Sequence, residues 1–151
     1  MKRIGVVFLM ILFIVSCKPK KNEVVIEKYP NGSPKVTREY KEENGSKIAI
    51  KETKYYPNKF KQIEGDLKNE KRNGKWTYWY DNGNKWSEGY FKEGVSDSIS
   101  ISYYKTGTKH LEGVYKNGKK VGIWKLYDTA GKLNKMIDCD KENKETDMQV
   151  N

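Results

Sequence analysis

The sequence has very few of the residues that build most metal and catalytic sites. It contains one histidine, His110, and two cysteines, Cys17 and Cys139, among 151 residues. A single histidine excludes a histidine-based metal cluster or a repeated histidine pair. The sequence also has no phosphate-binding loop, zinc motif or aspartate-rich calcium loop. We therefore expect no metal, no cofactor and no enzymatic activity.

Helical periodicity is also missing beyond the N-terminal segment. Hydrophobic residues make up only 36% of the chain, but aromatic residues make up 13%, with 11 tyrosines and 4 tryptophans. Disordered chains are poor in aromatics, so this composition favours a folded body. Aromatic side chains alternating with Thr or Ser are typical of strands, which predicts an all-β fold.

The one long apolar run lies at the N-terminus, from Ile4 to Val15, after Lys2 and Arg3. It is too short for a transmembrane helix, which needs about 20 apolar residues, and it has the layout of a secretory signal. With the small Ser16 directly before Cys17, the segment resembles the lipobox of bacterial lipoproteins. That resemblance implies that Cys17 becomes the mature N-terminus, lipidated on sulfur and acylated on its amine. The alternative is a plain secretory peptide followed by a chance cysteine.

The lipobox resemblance implies an attachment to the bacterial cell envelope. Two or more acyl chains suffice for stable anchoring. We expect a signal peptide at 1–16, a lipidated tether at 17–22, a folded domain at 23–139 and a polar tail at 140–151. Lys18 rather than Asp follows Cys17, which favours the outer membrane over the inner. Cys139 would then lack an intrachain disulfide partner and would be either a half-buried or an exposed thiol.

The charge is strongly basic, at +10, with 30 Lys and Arg against 20 Asp and Glu. Such an excess can attract anionic lipid, lipopolysaccharide or nucleic acid. Here the lysines are scattered among acidic residues, which is typical of a solvated surface. No nucleic-acid partner is expected.

The body of the chain repeats every 24 residues, and such a period indicates an array of small supersecondary units. An earlier copy begins at Tyr29 and matches Tyr56 at a spacing of 27, with Lys59 in place of the expected turn glycine. The aromatic columns are Tyr55, Trp79, Tyr103 and Tyr127, then Tyr56, Tyr80 and Tyr104 followed by Asp128. The residues assigned a structural role in the repeat are Gly65, Gly74, Trp76, Gly83, Gly89, Gly107, Gly113, Gly118, Gly122, Trp124 and Gly131.

Each unit contains two strands and two turns. Residues 76–80 and 85–91 are the strands, and Asn82-Gly83 between them is a strong hairpin signal because both residues tolerate positive φ. Asn117-Gly118 gives the same signal. Four units and their flanks predict an antiparallel β-meander of about ten strands, forming an elongated twisted sheet with aromatic columns stacked between hairpins.

The pattern Tyr-x-Asn-Gly, Glu-Gly, Lys-Asn-Gly-Lys, Gly-x-Trp resembles the bacterial variant of the MORN repeat. Residues 112–124 match it best and residues 73–83 match it second. The resemblance is closest to the YwqK family of toxin–antitoxin antitoxins, and it implies a hairpin-repeat scaffold. The third unit departs from the pattern, with Ser98 and Ser100 where its neighbours have Gly and Trp.

No residue pattern points to catalysis. Glu64, Glu88 and Glu112 could be taken for paired carboxylates, but their 24-residue spacing predicts equivalent turn or ladder positions. The serines from 96 to 102 alternate along a strand rather than lying on a nucleophile elbow. His110 shares its column with Trp86 and Gln62, which predicts a structural strand position.

The favoured hypothesis is therefore a membrane-anchored, non-catalytic scaffold for a protein partner, with an antitoxin-like or immunity-like role. Its candidate binding residues are Trp86, Tyr90 and Phe91, because aromatics carry interface energy. The alternative is a module that binds envelope glycan or anionic lipid through exposed rings and lysines, since aromatic rings stack on sugars.

Overall fold

The computed structural model describes residues 22–141, which form one ten-stranded antiparallel sheet in the order of the sequence. This confirms the predicted meander, with the first and last described strands at opposite ends of the sheet. Cys17 and the tail residues 142–151 lie outside the described part. The strands are β1 Asn22–Lys28, β2 Pro34–Glu43, β3 Ser46–Tyr55, β4 Lys61–Lys68, β5 Lys71–Trp79, β6 Lys85–Lys92, β7 Val95–Tyr103, β8 Lys109–Lys116, β9 Lys119–Tyr127 and β10 Leu133–Asp138.

Loops of two kinds alternate along the meander and lie at opposite edges. At one edge, two-residue loops join β2–β3, β4–β5, β6–β7 and β8–β9. Asn117 and Gly118 both have positive φ, at 50° and 80°, as a type I′ turn requires. The expectation for Asn117-Gly118 is confirmed.

The other edge carries loops of five residues between strand ends, in which a closing pair such as Tyr80 and Asn84 encloses three residues, and we call these the three-residue loops. The hairpin expected at Asn82-Gly83 is confirmed, but its turn is not of type I′. The amide of Gly83 donates to the carbonyl of Tyr80 at 3.0 Å, and the amide of Tyr80 donates to the carbonyl of Asn84 at 2.8 Å. Gly83 has φ 86°, but Asn82 is not among the positive-φ residues. This is a type I turn followed by one left-handed residue. The second of these loops, between β3 and β4, contains the exception expected from the sequence, since Lys59 takes the glycine position with φ 70°.

Tyrosines at the three-residue loops link each repeat to the next. The hydroxyl of Tyr80 donates to the carbonyl of Tyr103 at 2.9 Å. The equivalent bonds run from Tyr29 to Tyr55, from Tyr56 to Trp79 and from Tyr104 to Tyr127, at 2.7 to 2.9 Å. Asp128 holds the next position and instead accepts hydrogen bonds from the amides of its own loop.

The two faces of the sheet carry different rows of side chains. One row runs across directly paired strands through Gly65, Trp76, Gly89, Ser100 and Gly113, and we call this side the tryptophan face. The opposite side carries Thr53, Glu64, Thr77, Glu88, Ile101, Glu112 and Lys125, and we call it the glutamate face. Within residues 22–141 each strand packs mainly against its sheet neighbours, so no second layer covers either face.

Burial is concentrated in a few side chains because the sheet is a single layer. Trp76 is 1% exposed and Trp124 is 2% exposed, and each lies on the glycine of the neighbouring strand. The other buried residues are Val36, Thr37, Ala49, Thr53 and Cys139. Trp76 and Trp124 are thus the two largest side chains among the buried residues of the described sheet.

The C-terminal end of the sheet is fixed by a single helical turn at residues 139–141. The amide of Gly122 donates to Oδ1 of Asp140 at 2.9 Å. Cys139 is only 6% exposed, so it is more buried than either state expected from the sequence. No helix in the described region has the length and apolar character needed to cross a membrane.

Candidate interaction surface

The three repeated glutamates occupy ladder positions and form ion pairs with neighbouring lysines. Glu88 accepts a hydrogen bond from the hydroxyl of Tyr103 at 3.0 Å, and its other oxygen lies 2.7 Å from Nζ of Lys75 and 3.0 Å from Nζ of Lys85. Glu112 repeats this pattern one unit later, with the Tyr127 hydroxyl and Lys109. The role is the structural one expected from the 24-residue spacing.

The electrostatics of the glutamate row favour permanently charged carboxylates. Burial alone would raise the pKa of Glu88, but hydrogen bonds from Lys75, Lys85 and Tyr103 lower that pKa to about 2. Burial and the bond to Glu88 raise the pKa of Tyr103 to about 12. Both groups stay in one protonation state near neutral pH. A general acid or base needs a pKa near the working pH, so this row is unsuited to proton transfer.

In one aromatic column of the repeat, lysine side chains lie against the rings, and the rings do not stack on one another. Lys85 Nζ lies 5.6 Å from the ring centroid of Tyr103, and Lys109 Nζ lies 5.4 Å from that of Tyr127. In the described part of the chain, no ring–ring contact joins Trp79, Tyr103 and Tyr127 to one another. The expected stacking in this column was therefore wrong, and cation–π contacts take its place.

Among the described residues, no side-chain hydrogen bond joins His110 to a serine, although Ser87, Ser100 and Ser102 line the same cavity as His110. The serines from 96 to 102 lie on β7, and His110 lies on β8 with its ring 4.4 Å from that of Tyr104. Among residues 22–141, no group of three or more His, Cys, Asp or Glu side chains could hold a metal ion.

The third repeat leaves an open groove on the tryptophan face. Ser100 stands in the row position that Trp76 and Trp124 occupy in the neighbouring units, directly opposite Gly89 and Gly113. A cavity of about 60 Å³ lies over Gly89 and Ser100, and a cavity of about 330 Å³ on the side of His110 and Trp124 shares Ser100. The surface between the two buried tryptophans is therefore concave.

The glutamate face carries an exposed apolar patch near the two-residue loops. Tyr90 is 45% exposed, Ile99 56%, Val114 42% and Ile123 45%. Ile99 and Val114 are direct cross-strand partners, and the alternation along β6 and β9 directs Tyr90 and Ile123 to the same face. We call these four residues the apolar patch. Exposed apolar side chains gathered on one face of a sheet are a candidate interaction site.

The structure does not bring the three predicted binding residues together. Trp86 is 49% exposed and packs edge-on against Tyr78, 5.9 Å between ring centroids, on the tryptophan face. Phe91 is half-buried on that same face, 6.2 Å from the ring of Trp76. Tyr90 belongs to the opposite face as part of the apolar patch. The predicted cluster is thus divided between two surfaces.

Sequence reasoning missed the three aliphatic residues of the apolar patch. Ile99, Val114 and Ile123 look like ordinary core residues of strands, since alternating aliphatics usually mark a buried face. The predicted meander could have revealed these residues, because a sheet with no covering helices leaves its alternating aliphatic side chains exposed to solvent.

Comparison with known families supports the repeat assignment. The family profile described as MORN repeat variant matches residues 72–93, which span β5, the β5–β6 loop and β6 with its following turn. The match covers a unit with both the Trp76 packing and the Glu88 network. A search of curated proteins found no significant match. The chain therefore contains a MORN repeat variant within an all-β hairpin array.

Proposed function

We propose that the protein is a non-catalytic scaffold, held at the bacterial envelope membrane by lipid on Cys17, whose repeat sheet binds a protein partner. MORN repeats commonly serve as modules for protein or membrane interaction, which is compatible with this role. The observation that carries the proposal is the apolar patch on an uncovered sheet. An antitoxin-like or immunity-like role is the specific form that the resemblance of the sequence suggests.

The patch has the composition of an interface rather than of a solvated strand surface. Its four side chains are aromatic or aliphatic and span β6 to β9. They lie beside a row of lysine–glutamate pairs, which supplies a polar rim. An apolar centre with a charged rim is the usual anatomy of protein–protein interfaces.

The test of partner binding uses chemical crosslinking in intact envelopes, followed by purification of the full chain. The Ile99→Ser, Val114→Ser double variant should lose a crosslinked partner that the unchanged protein retains. Leu133→Ser is the matched control, because Leu133 is also 44% exposed but lies on β10, away from the patch. Equal crosslinking in the patch variant and the control would refute the patch as the binding surface.

The anchor is tested separately by Cys17→Ala. Metabolically supplied fatty acid should label the unchanged protein and not the variant, and the variant should accumulate as uncleaved or soluble protein. Labelling retained on the variant would show that Cys17 is not the lipid acceptor.

A further inference from the structure

The three glycines that follow the repeated glutamates are equivalent in sequence but not in surroundings. A Cβ atom placed on Gly65 would lie 2.2 Å from the ring of Trp76, and one on Gly113 would lie 2.2 Å from the ring of Trp124. The nearest atom to a Cβ on Gly89 is Oγ of Ser100, at 3.4 Å. The backbone at Gly89 therefore keeps the flat, Cβ-free surface that receives an indole, but no indole covers it.

The two filled positions show what such a surface binds. Nε1 of Trp76 donates to the carbonyl of Asp66 at 2.9 Å, and Nε1 of Trp124 donates to the carbonyl of Val114 at 3.3 Å. Each ring also carries a cation on its outer side, with Arg72 at 4.4 Å and Lys120 at 4.5 Å from the ring centroids. Each site thus combines a glycine floor, a carbonyl acceptor and an outer side chain.

The third repeat retains the floor and the acceptor position but lacks the cation. The repeat spacing puts Tyr90 where Asp66 and Val114 stand, so its carbonyl is the equivalent acceptor. A register shift between β6 and β7 leaves Tyr90 without a pairing partner on β7, as the shift between β4 and β5 leaves Asp66 without one on β5. Each is paired only on its other side, Tyr90 with Lys75 and Asp66 with Lys51. Ser96 replaces the cation.

The space over Gly89 is bounded by aromatic side chains. Tyr78, Phe91 and Tyr115 line the inner cavity together with Ser96 and Ser100. Its volume of about 60 Å³ exceeds the roughly 10–15 Å³ that one water requires. The adjoining cavity of about 330 Å³ is within the size range of ligand pockets. The two cavities share Ser87, Ser100 and Tyr115, so the outer cavity adjoins the space over the glycine floor.

We propose that this Gly89 groove binds an aromatic side chain, preferably tryptophan, from a partner polypeptide, which occupies the place left by the missing tryptophan of the third repeat. This inference rests on the proposed scaffold role in one respect, namely that the bound aromatic side chain belongs to a polypeptide. The Gly89 groove lies on the tryptophan face, opposite the apolar patch. An indole matches the site because the same glycine floor and carbonyl acceptor hold the chain's own indoles one unit away on each side.

The test uses N-acetyl-tryptophanamide as the probe, with the full chain in detergent micelles and amide NMR shifts as the readout. Saturable shifts should centre on Gly89 and Ser100. N-acetyl-leucinamide should bind on the order of tenfold more weakly, because it lacks the ring. Shifts confined to the exposed ring of Trp86, or equal binding of N-acetylglucosamine, would overturn the proposal.

A filled-site variant provides the second arm. Ser98→Gly, Ser100→Trp restores the repeat pattern, so it should lose the probe-induced shifts and unfold at higher urea concentration than the unchanged protein. The control is Ser98→Gly alone, which changes no residue lining either cavity and leaves the glycine floor open, so it should retain probe binding.

Two further results bear on the occupant. Probe binding that persists in the filled-site variant would overturn the proposal. Self-association of the unchanged protein that disappears in Trp86→Ala and in the filled-site variant would also overturn it, by assigning the groove to a second copy. Neither result depends on the envelope crosslinking test, so the groove and the apolar patch can fail independently.

Discussion

Replacing each of the three equivalent glycines with alanine should destabilise the protein only where a tryptophan ring covers the glycine. The covered glycines are Gly65 and Gly113, and the uncovered one is Gly89. In Gly65→Ala, the new Cβ would lie 2.2 Å from the ring of Trp76, whereas carbon atoms in contact prefer about 3.5–4.0 Å. The nearest ring atoms, Cδ2, Cγ and Cε2, belong to the fused system of a side chain that is 1% exposed. The whole indole must therefore move off the strand.

The expected loss of unfolding free energy lies between the cost of overpacking a contact and the cost of removing the indole ring. Overpacking a tight contact costs about 1–3 kcal/mol, and truncating a buried tryptophan costs about 3–5 kcal/mol. We expect Gly65→Ala and Gly113→Ala each to reduce the free energy of unfolding by about 2–4 kcal/mol. In Gly89→Ala, the methyl group meets only Ser100 Oγ at 3.4 Å. Since alanine is favoured over glycine in a strand by about 0.5–1 kcal/mol, that variant should be neutral or slightly more stable.

The assay is urea unfolding followed by far-UV circular dichroism, with each glycine variant compared in two backgrounds. In a Trp76→Ala background, Gly65→Ala should cost little, because the ring it strikes is gone. Similar midpoints for all three glycine variants, or an unchanged cost of Gly65→Ala without Trp76, would refute the explanation of the glycine column by indole packing.

Three other measurements test the remaining assignments. Ser98→Gly should raise stability by about 1 kcal/mol in the same urea assay, because Ser98 has φ 74° and left-handed backbone is costly for residues other than glycine; a lower midpoint would contradict this. Trp124→Ala should cost about 3–5 kcal/mol and Trp86→Ala under about 1 kcal/mol, since the exposed fractions are 2% and 49%; equal midpoints would contradict this difference in burial. The folded-state pKa of Glu88, about 2, lies below its ordinary value of 4.5, so its stabilisation is complete above pH 4.5 and is lost as pH falls towards 2. Unfolding free energies at pH 5 and pH 2.5 should therefore differ more for the unchanged protein than for Glu88→Gln, and equal differences would contradict the linkage.

The fold was predictable because the 24-residue repeat can be recognised in the amino-acid sequence and each strand pairs with its neighbours in the sequence. Strand order, strand number and the two-residue loop at Asn117-Gly118 follow from spacing and turn chemistry alone. The three-residue loops were harder, because Asn-Gly is compatible with two turn types, and the choice depends on how the closing pair of Tyr80 and Asn84 is hydrogen bonded.

The surfaces were less predictable, because exposure depends on which side of the sheet a residue faces and on what covers that side. The division of Tyr90 and Phe91 between opposite faces follows from their adjacency on β6, which the sequence does contain. The groove at Gly89 required knowing that Trp76 lies on Gly65, a cross-strand contact between residues 11 positions apart. With that contact known, Ser100 indicates a repeat in which no tryptophan covers the glycine. Without it, Ser100 looks like an ordinary substitution in the repeat pattern.

The tyrosine bonds at the three-residue loops also give the array a direction of growth. Each hydroxyl reaches forward to a carbonyl of the following unit, so a duplicated 24-residue copy inserted between Tyr80 and Tyr104 would find both its donor and its acceptor already in place. A copy added after the last loop would not, because Asp128 has no hydroxyl and its carboxylate already accepts bonds from its own loop. Lengthening by internal duplication is thus structurally easier than lengthening at the C-terminal end. Related chains with more repeats should retain an acidic residue at the last loop and tyrosine at the loops before it.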